Sequence, residues 1–233
     1  MHRFPTASKQ AFNLAEELVI KQHMGRSALL LGLLYAKIDE YSSLISNKLL
    51  ELTEVVSKGD YEKEFTKKLW LLNGLHVCLA YYGLSKGVDY IHELYEQKEH
   101  EEFILEINRE YLKAYTLYSR QETDQVKHYQ DEINNRFKSN KSQDQTSRVA
   151  RNPEIKFSMS ERVHGPLHYL INNDEEVTAI KEVIQLIFNN KFEQVEGFSD
   201  FSRDYLSSGK ESFYKNYWSE DKVVDKYLST IGK

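Results

Sequence analysis

The 233-residue chain sets 31 Lys and Arg against 36 Asp and Glu, for a net charge of −5, with 40% apolar and 29% charged residues. That length and balance predict a folded, soluble protein with one sizeable core or two small ones sharing an interface, and its acidity argues against general nucleic-acid binding and for a basic partner. Three prolines and ten glycines are too few for many short strands, and a single cysteine, Cys78, excludes an internal disulfide and fits a reducing cytosol.

The first ten residues, MHRFPTASKQ, have no apolar stretch of the secretory kind, and no run in the sequence is long enough to span a bilayer. Thr6 or Ser8 is positioned to cap a first helix to about His23, ended by Gly25. A long pattern from Ser27 to Val56 follows, with Leu30, Leu33, Leu34, Ile38, Tyr41, Leu44, Ile45, Leu49, Leu52 and Val56 at helical spacing. Lys58-Gly59-Asp60 then reads as a turn with a helix start.

The densest apolar run is Lys67–Leu84, KKLWLLNGLHVCLAYYGL. Leu69, Leu72, His76 and Leu79 form one stripe, and Trp70, Asn73, Val77, Ala80 and Leu84 a second beside it. Such a helix is apolar almost all round and is predicted to be buried. Asn73 and His76 then need hydrogen-bond partners in the core; the alternative is that they line a cavity. Cys78 reads as small buried filler.

Gly83 and Gly87 bracket a break. Helices are predicted over 88–97, 99–118 and 121–137, the last polar except for Val126, Tyr129, Ile133 and Phe137. Apolar periodicity then disappears over 138–160. Between Arg136 and Lys156 six basic residues face two acids, a local +4, which reads as a solvated loop or as a segment that contacts an anion or RNA. Helices resume over 159–172 and 174–190. Phe198–Leu206 and a last helix capped by Ser219, with Val223, Val224, Tyr227, Leu228 and Ile231 inward, complete the chain. The expected fold is all-α: antiparallel helical hairpins in an irregular bundle of about nine to eleven helices. It forms one domain over 1–233, with sub-bundles 1–137 and 160–233 joined by a polar basic loop, 138–159. Trp70-x2-Asn73-Gly74-x2-Val77 echoes the opening of a tetratricopeptide repeat, but Lys86 and Glu93 occupy the small positions that should follow, so a regular array is not expected.

No phosphate-binding loop, dinucleotide fingerprint, metal-ligand cluster or nucleophile elbow is present in the sequence. No catalytic residue, cofactor or metal is therefore expected. Arg162-Val-His164-Gly-Pro-Leu-His168 resembles the Arg-x4-6-His motif of the higher-eukaryote-and-prokaryote nucleotide-binding domains. That likeness implies a ribonuclease using Arg162 and His168, with His164 between them. The other feature is acidic: Glu93, Glu96, Glu99, Glu102, Glu106 and Glu110, followed by Tyr111, Tyr115 and Tyr118. Carboxylates beside tyrosine rings suit the docking of a basic protein.

By overall character, compact, acidic, aromatic-rich and helical, the chain resembles the α-helical immunity proteins of bacterial polymorphic and contact-dependent growth-inhibition toxin systems. The resemblance implies a cytoplasmic, non-catalytic inhibitor whose acidic face covers the active-site cleft of a basic nuclease toxin, its partner, with no direct nucleic-acid or membrane contact. The alternatives are a helical scaffold or adaptor with a peptide-binding groove, and the ribonuclease.

Overall fold

Lys58 opens a helix that does not break until Gly87. In this computed structural model, which describes residues 58–139, 141, 143–216 and 221–231, α1 (Lys58–Lys67) runs without interruption into a π-helical turn, Lys68–Gly74, and then into α2 (Leu75–Lys86). The Leu75 amide reaches back to the Trp70 carbonyl, the i→i−5 bond of a π turn. Gly87, at φ +73°, takes the left-handed conformation that ends the helix, and its amide returns to the carbonyls of Gly83 and Leu84. The chain divides into two compact units, Met1–Tyr61 and Glu62–Lys233. The helices expected over 6–23 and 27–56 lie outside the described residues.

After α2 come α3 (Ile91–Glu96), a single 3-10 turn at Lys98–His100, α4 (Glu101–Ser119) and α5 (Thr123–Lys138). Within the basic stretch lie two short helices, α6 (Thr146–Ala150) and α7 (Pro153–Lys156). Then follow α8 (His164–Asn172), α9 (Ala179–Asn189), α10 (Phe198–Phe201) with a second π turn over Ser202–Leu206, α11 (Gly209–Lys215) and α12 (Asp221–Ile231). Among the described residues the only extended pairing is one isolated antiparallel bridge, Tyr90 with Gln145. The fold is all-helical, as the composition and periodicity predict.

The apolar run is the central rod. Leu71, Leu75, Cys78, Leu79, Ala80 and Tyr81 are wholly buried, because α4, α6 and α9 all pack against it. Gly74 explains the closest approach. A β-carbon there would lie 2.4 Å from a ring carbon of Tyr111 and 2.6 Å from the Arg162 carbonyl oxygen, so only glycine lets the π turn seat against α4 and the residues leading into α8. Gly165 does the same under the Trp70 ring, which also packs on Tyr115, Tyr118 and Tyr169.

The basic stretch is fastened to the rod. Thr146 is buried, with its hydroxyl donating to the Val88 carbonyl at 2.9 Å, and the Tyr81 hydroxyl donates to the Ala150 carbonyl at 2.9 Å, closing the end of α6. Pro153 and Phe157 are buried as well. Residues 144–157 therefore carry local helix and core contacts that their lack of apolar periodicity conceals.

Candidate substrate-binding face

Bound i→i+5, a π turn stacks residue 73 over residue 68, and residue 76 follows one α-helical turn later. Lys68, Asn73 and His76 thus share one strip of the rod. The strip stays open while its flanks close: Lys68 is exposed and Asn73 and His76 are partly exposed, whereas Leu69, Trp70, Leu71, Gly74, Leu75, Val77 and Cys78 are buried. Uniform α-helical spacing instead turns Lys68 about 140° away from Asn73 and off the face that Asn73 and His76 share. The extra residue per turn brings Lys68 into line with them.

His76 has surroundings that no other histidine of the described residues has. Its ring stacks on Phe137 at 4.7 Å between centroids, and its Nε2 lies 3.4 Å from an Asp144 oxygen without the alignment of a hydrogen bond. Burial holds its pKa down at about 4. Asp144 opposes that shift, and the charges of Arg136, Arg148 and Lys156 reinforce it. At neutral pH the ring is uncharged.

Asp144 reaches His76 because the bridge beside it fixes the backbone. The Ile91 amide donates to the Asp144 carbonyl at 3.0 Å, and the Thr146 amide to the Asp89 carbonyl at 2.9 Å. Asp144 also accepts from Arg148 at 2.9 Å. Lys156 donates to the Val149 carbonyl at 2.5 Å and to that of Arg151, which pins the end of α6. The outcome is a cationic rim, Arg136, Arg148 and Lys156, within electrostatic reach of a neutral imidazole. Such a set binds hydroxyl and phosphate oxygens.

The sequence-predicted residues are placed elsewhere. Glu96, Glu99 and Glu102 are exposed, Glu93 caps α3 by accepting from the Tyr90 amide, and Glu106 pairs with Arg109. Glu110 is buried and accepts the backbone amides of Thr178, Ala179 and Ile180 at the start of α9. Tyr111 and Tyr115 are buried, their hydroxyls donating to the carbonyls of Arg162 and Lys63. Tyr118 packs its ring on Trp70 and Tyr169 and accepts from the Thr66 hydroxyl. Arg162 pairs with Glu161, buried His164 meets the Tyr214 hydroxyl at 3.0 Å, and His168 meets that of Tyr227 at 2.8 Å. Pro166 falls in the first turn of α8. The Arg162–His168 run is spent on packing.

The chain is a member of the mannitol dehydrogenase C-terminal domain family, whose profile matches residues 61–229. It is 35% identical over 130 residues to a mannitol-1-phosphate 5-dehydrogenase of Clostridium acetobutylicum, covering 56% of this chain and 33% of the relative. It is 30% identical over 138 residues to the enzyme of that name from Alternaria alternata, covering 59% and 35%. A Thermoanaerobacter pseudethanolicus enzyme of the same name is 30% identical over 127 residues, covering 54% and 32%. The chain spans about a third of the length of the curated relatives it matches.

This family overturns the expectation of an immunity protein, and with it the non-catalytic inhibitor, the basic toxin partner and the toxin–antitoxin setting. The adaptor and ribonuclease alternatives fall with them. The physical reason for the error lies in the tyrosines: Tyr111 and Tyr115, read as exposed anchors, are core residues. Sequence reading placed Asn73 and His76 in the core and passed over Lys68. The available signal was three polar residues interrupting a run that is otherwise apolar.

Proposed function

We propose that this chain supplies the substrate-side groups of a dehydrogenase acting on a phosphorylated acyclic polyol, as the names of its relatives suggest. The observation that carries the reading is the π turn that brings Lys68, Asn73 and His76 onto one open strip. Oxidising a secondary alcohol removes a hydride from carbon and a proton from oxygen. The acceptor supplies the redox chemistry when bound. The donors on this strip suit hydroxyl and phosphate oxygens rather than a redox group, and no residue of this chain is assigned to bind the acceptor.

Lys68 takes the hydroxyl proton in oxidation and returns it in reduction. His76 is unsuited to that exchange, because a base held at about 4 retains a proton too weakly at neutral pH. Lysines serve as such bases once a bound substrate strips water from them. Asn73 donates its amide hydrogen to the reacting oxygen as negative charge develops there. His76, held by Phe137 and Asp144, orients a neighbouring hydroxyl. The buried Cys78 thiol, which burial pushes up to about 12, is left out of the chemistry. No helix among the described residues is long and apolar enough to cross a membrane, and the single buried cysteine supports a cytoplasmic setting.

Lys68→Ala in the intact protein tests the reading. Turnover of mannitol 1-phosphate falls by about 10²–10⁴ and is partly restored by added primary amines. Retained turnover with no amine effect sinks the proposal. Lys68 is exposed, so the fold survives the change.

A further inference from the structure

We propose that Tyr111, Tyr115 and Tyr118 are positioning residues that hold the register of the π turn, and through it the alignment of Lys68 with Asn73 and His76. The inference goes beyond the reading above and rests on it only for the work of Lys68. The three tyrosines stand at i, i+4 and i+7 along α4, on one face of one helix, and they straddle the turn. On its N-terminal side the Tyr115 hydroxyl donates to the Lys63 carbonyl at 3.0 Å, and the Tyr118 hydroxyl accepts from that of Thr66 at 3.3 Å. On its C-terminal side the Tyr111 ring fills the space beside Gly74. The Tyr111 hydroxyl lies 3.1 Å from the Cys78 sulfur and donates to the Arg162 carbonyl at 2.7 Å. One helix thus clamps the rod before Lys68 and after Asn73.

A hold on both sides is what a π turn requires. The turn carries one residue more than an α-helical one, and the Leu75 amide reaches the Trp70 carbonyl instead of that of Leu71. Reversion to i→i−4 bonding would rotate everything N-terminal to the turn by about 100° and shift it about 1.5 Å along the axis. Lys68 would leave the strip, whereas Asn73 and His76, at the C-terminal side, would keep their places. The same movement breaks the ties at Lys63 and Thr66, so the tyrosines oppose it. Trp70 shows that opposition. Its ring packs on Tyr115 and Tyr118, and its buried indole N–H has no hydrogen-bond acceptor among the described residues. Aromatic packing, rather than the indole's own bonding, sets where that residue of the turn sits.

Tyr115→Phe combined with Tyr118→Phe tests the clamp, because it keeps both rings on Trp70 and removes only the two ties. Amide exchange of the intact protein, followed by NMR, should become about tenfold or more faster at Gly74 and Leu75, with Leu79 to Tyr81 unchanged. In the same variant kcat for mannitol 1-phosphate should fall about ten- to a hundredfold, with KM held within about twofold. In a Lys68→Ala background the two substitutions should add no further loss, since the group they align is gone. Unchanged exchange at the turn overturns the clamp. So does a lower melting temperature with kcat intact, or a loss that multiplies with that of Lys68→Ala. If Lys68→Ala by itself leaves turnover intact, the dehydrogenase reading fails, and the exchange rates alone decide the clamp: faster exchange confined to the turn upholds it, and unchanged exchange rejects it.

Discussion

His76 and His164 are both withdrawn from water, yet their surroundings assign them opposite work. His164 lies fully inside, between Phe157, Phe213 and Tyr214, and its Nε2 meets the Tyr214 hydroxyl. His76 has a ring on one side, a carboxylate at its nitrogen and three cations within electrostatic reach, on a strip that Lys68 and Asn73 share. Both rings are held neutral by burial. The difference therefore lies in what each faces. A histidine completed by a tyrosine is structural, whereas one bordered by uncommitted polar groups is available to a ligand.

Substituting along the two stretches gives the sharpest contrast. His76→Ala should lower kcat/KM for the polyol phosphate by about 10²–10³, the cost of misplacing a bound hydroxyl. His168→Ala, in the other stretch, should change it by less than about threefold, although the protein loses stability with the Tyr227 contact. Equal losses in both variants would erase the distinction.

Acid should then act through the inner histidine. Its folded pKa is about 4 against an ordinary 6.5, so the unfolded chain binds its proton first. The stabilisation is fully present above about 6.5 and is lost as pH falls toward 4, worth about 3 kcal/mol for a fully buried ring. His76 follows the same sign, with Asp144 opposing the shift. Denaturant midpoints measured from pH 7 to 4.5 should fall less steeply in His164→Gln, which keeps an acceptor for Tyr214. Parallel curves would show that His164 is not the sensor.

Gly74 tests whether the strip depends on the packing beneath it. A methyl group there must displace both the Tyr111 ring and the Arg162 carbonyl. Gly74→Ala should cost about 2 kcal/mol and reduce turnover as well, since Asn73 is its neighbour. A stable variant with reduced turnover would show that alignment, rather than stability, is what the glycine protects.

The fold was largely legible from periodicity. The central rod, the stripe of Val126, Ile133 and Phe137 and the amphipathic α9 all place their apolar positions inward as spacing predicts. The site was less legible for two reasons. A π turn changes which residues align, and α-helical counting cannot anticipate it. The cationic rim approaches His76 only through contacts between residues 76 and 144 and between 81 and 150, pairings that no local pattern encodes. The basic stretch was visible as an anion-contacting candidate; what it surrounds was not.

The acidic stretch divides as the histidines do, and its split gives the smallest test. Glu102 stands exposed at the start of α4, where a carboxylate gains only a weak interaction with the helix dipole. Glu110, two turns further on, is buried, and both its oxygens accept amides from Thr178, Ala179 and Ile180. It caps α9 from another helix and ties the two together. A glutamine keeps the shape and one accepting oxygen but turns an amide group toward backbone donors, so Glu110→Gln should cost about 1–2 kcal/mol, read from the denaturation midpoint. Glu102→Gln should stay within about 0.5 kcal/mol. If the two variants proved equally mild, the cap would not be what joins α4 to α9. If Glu102→Gln were the costlier, the exposed carboxylates would have a role that their solvation does not explain.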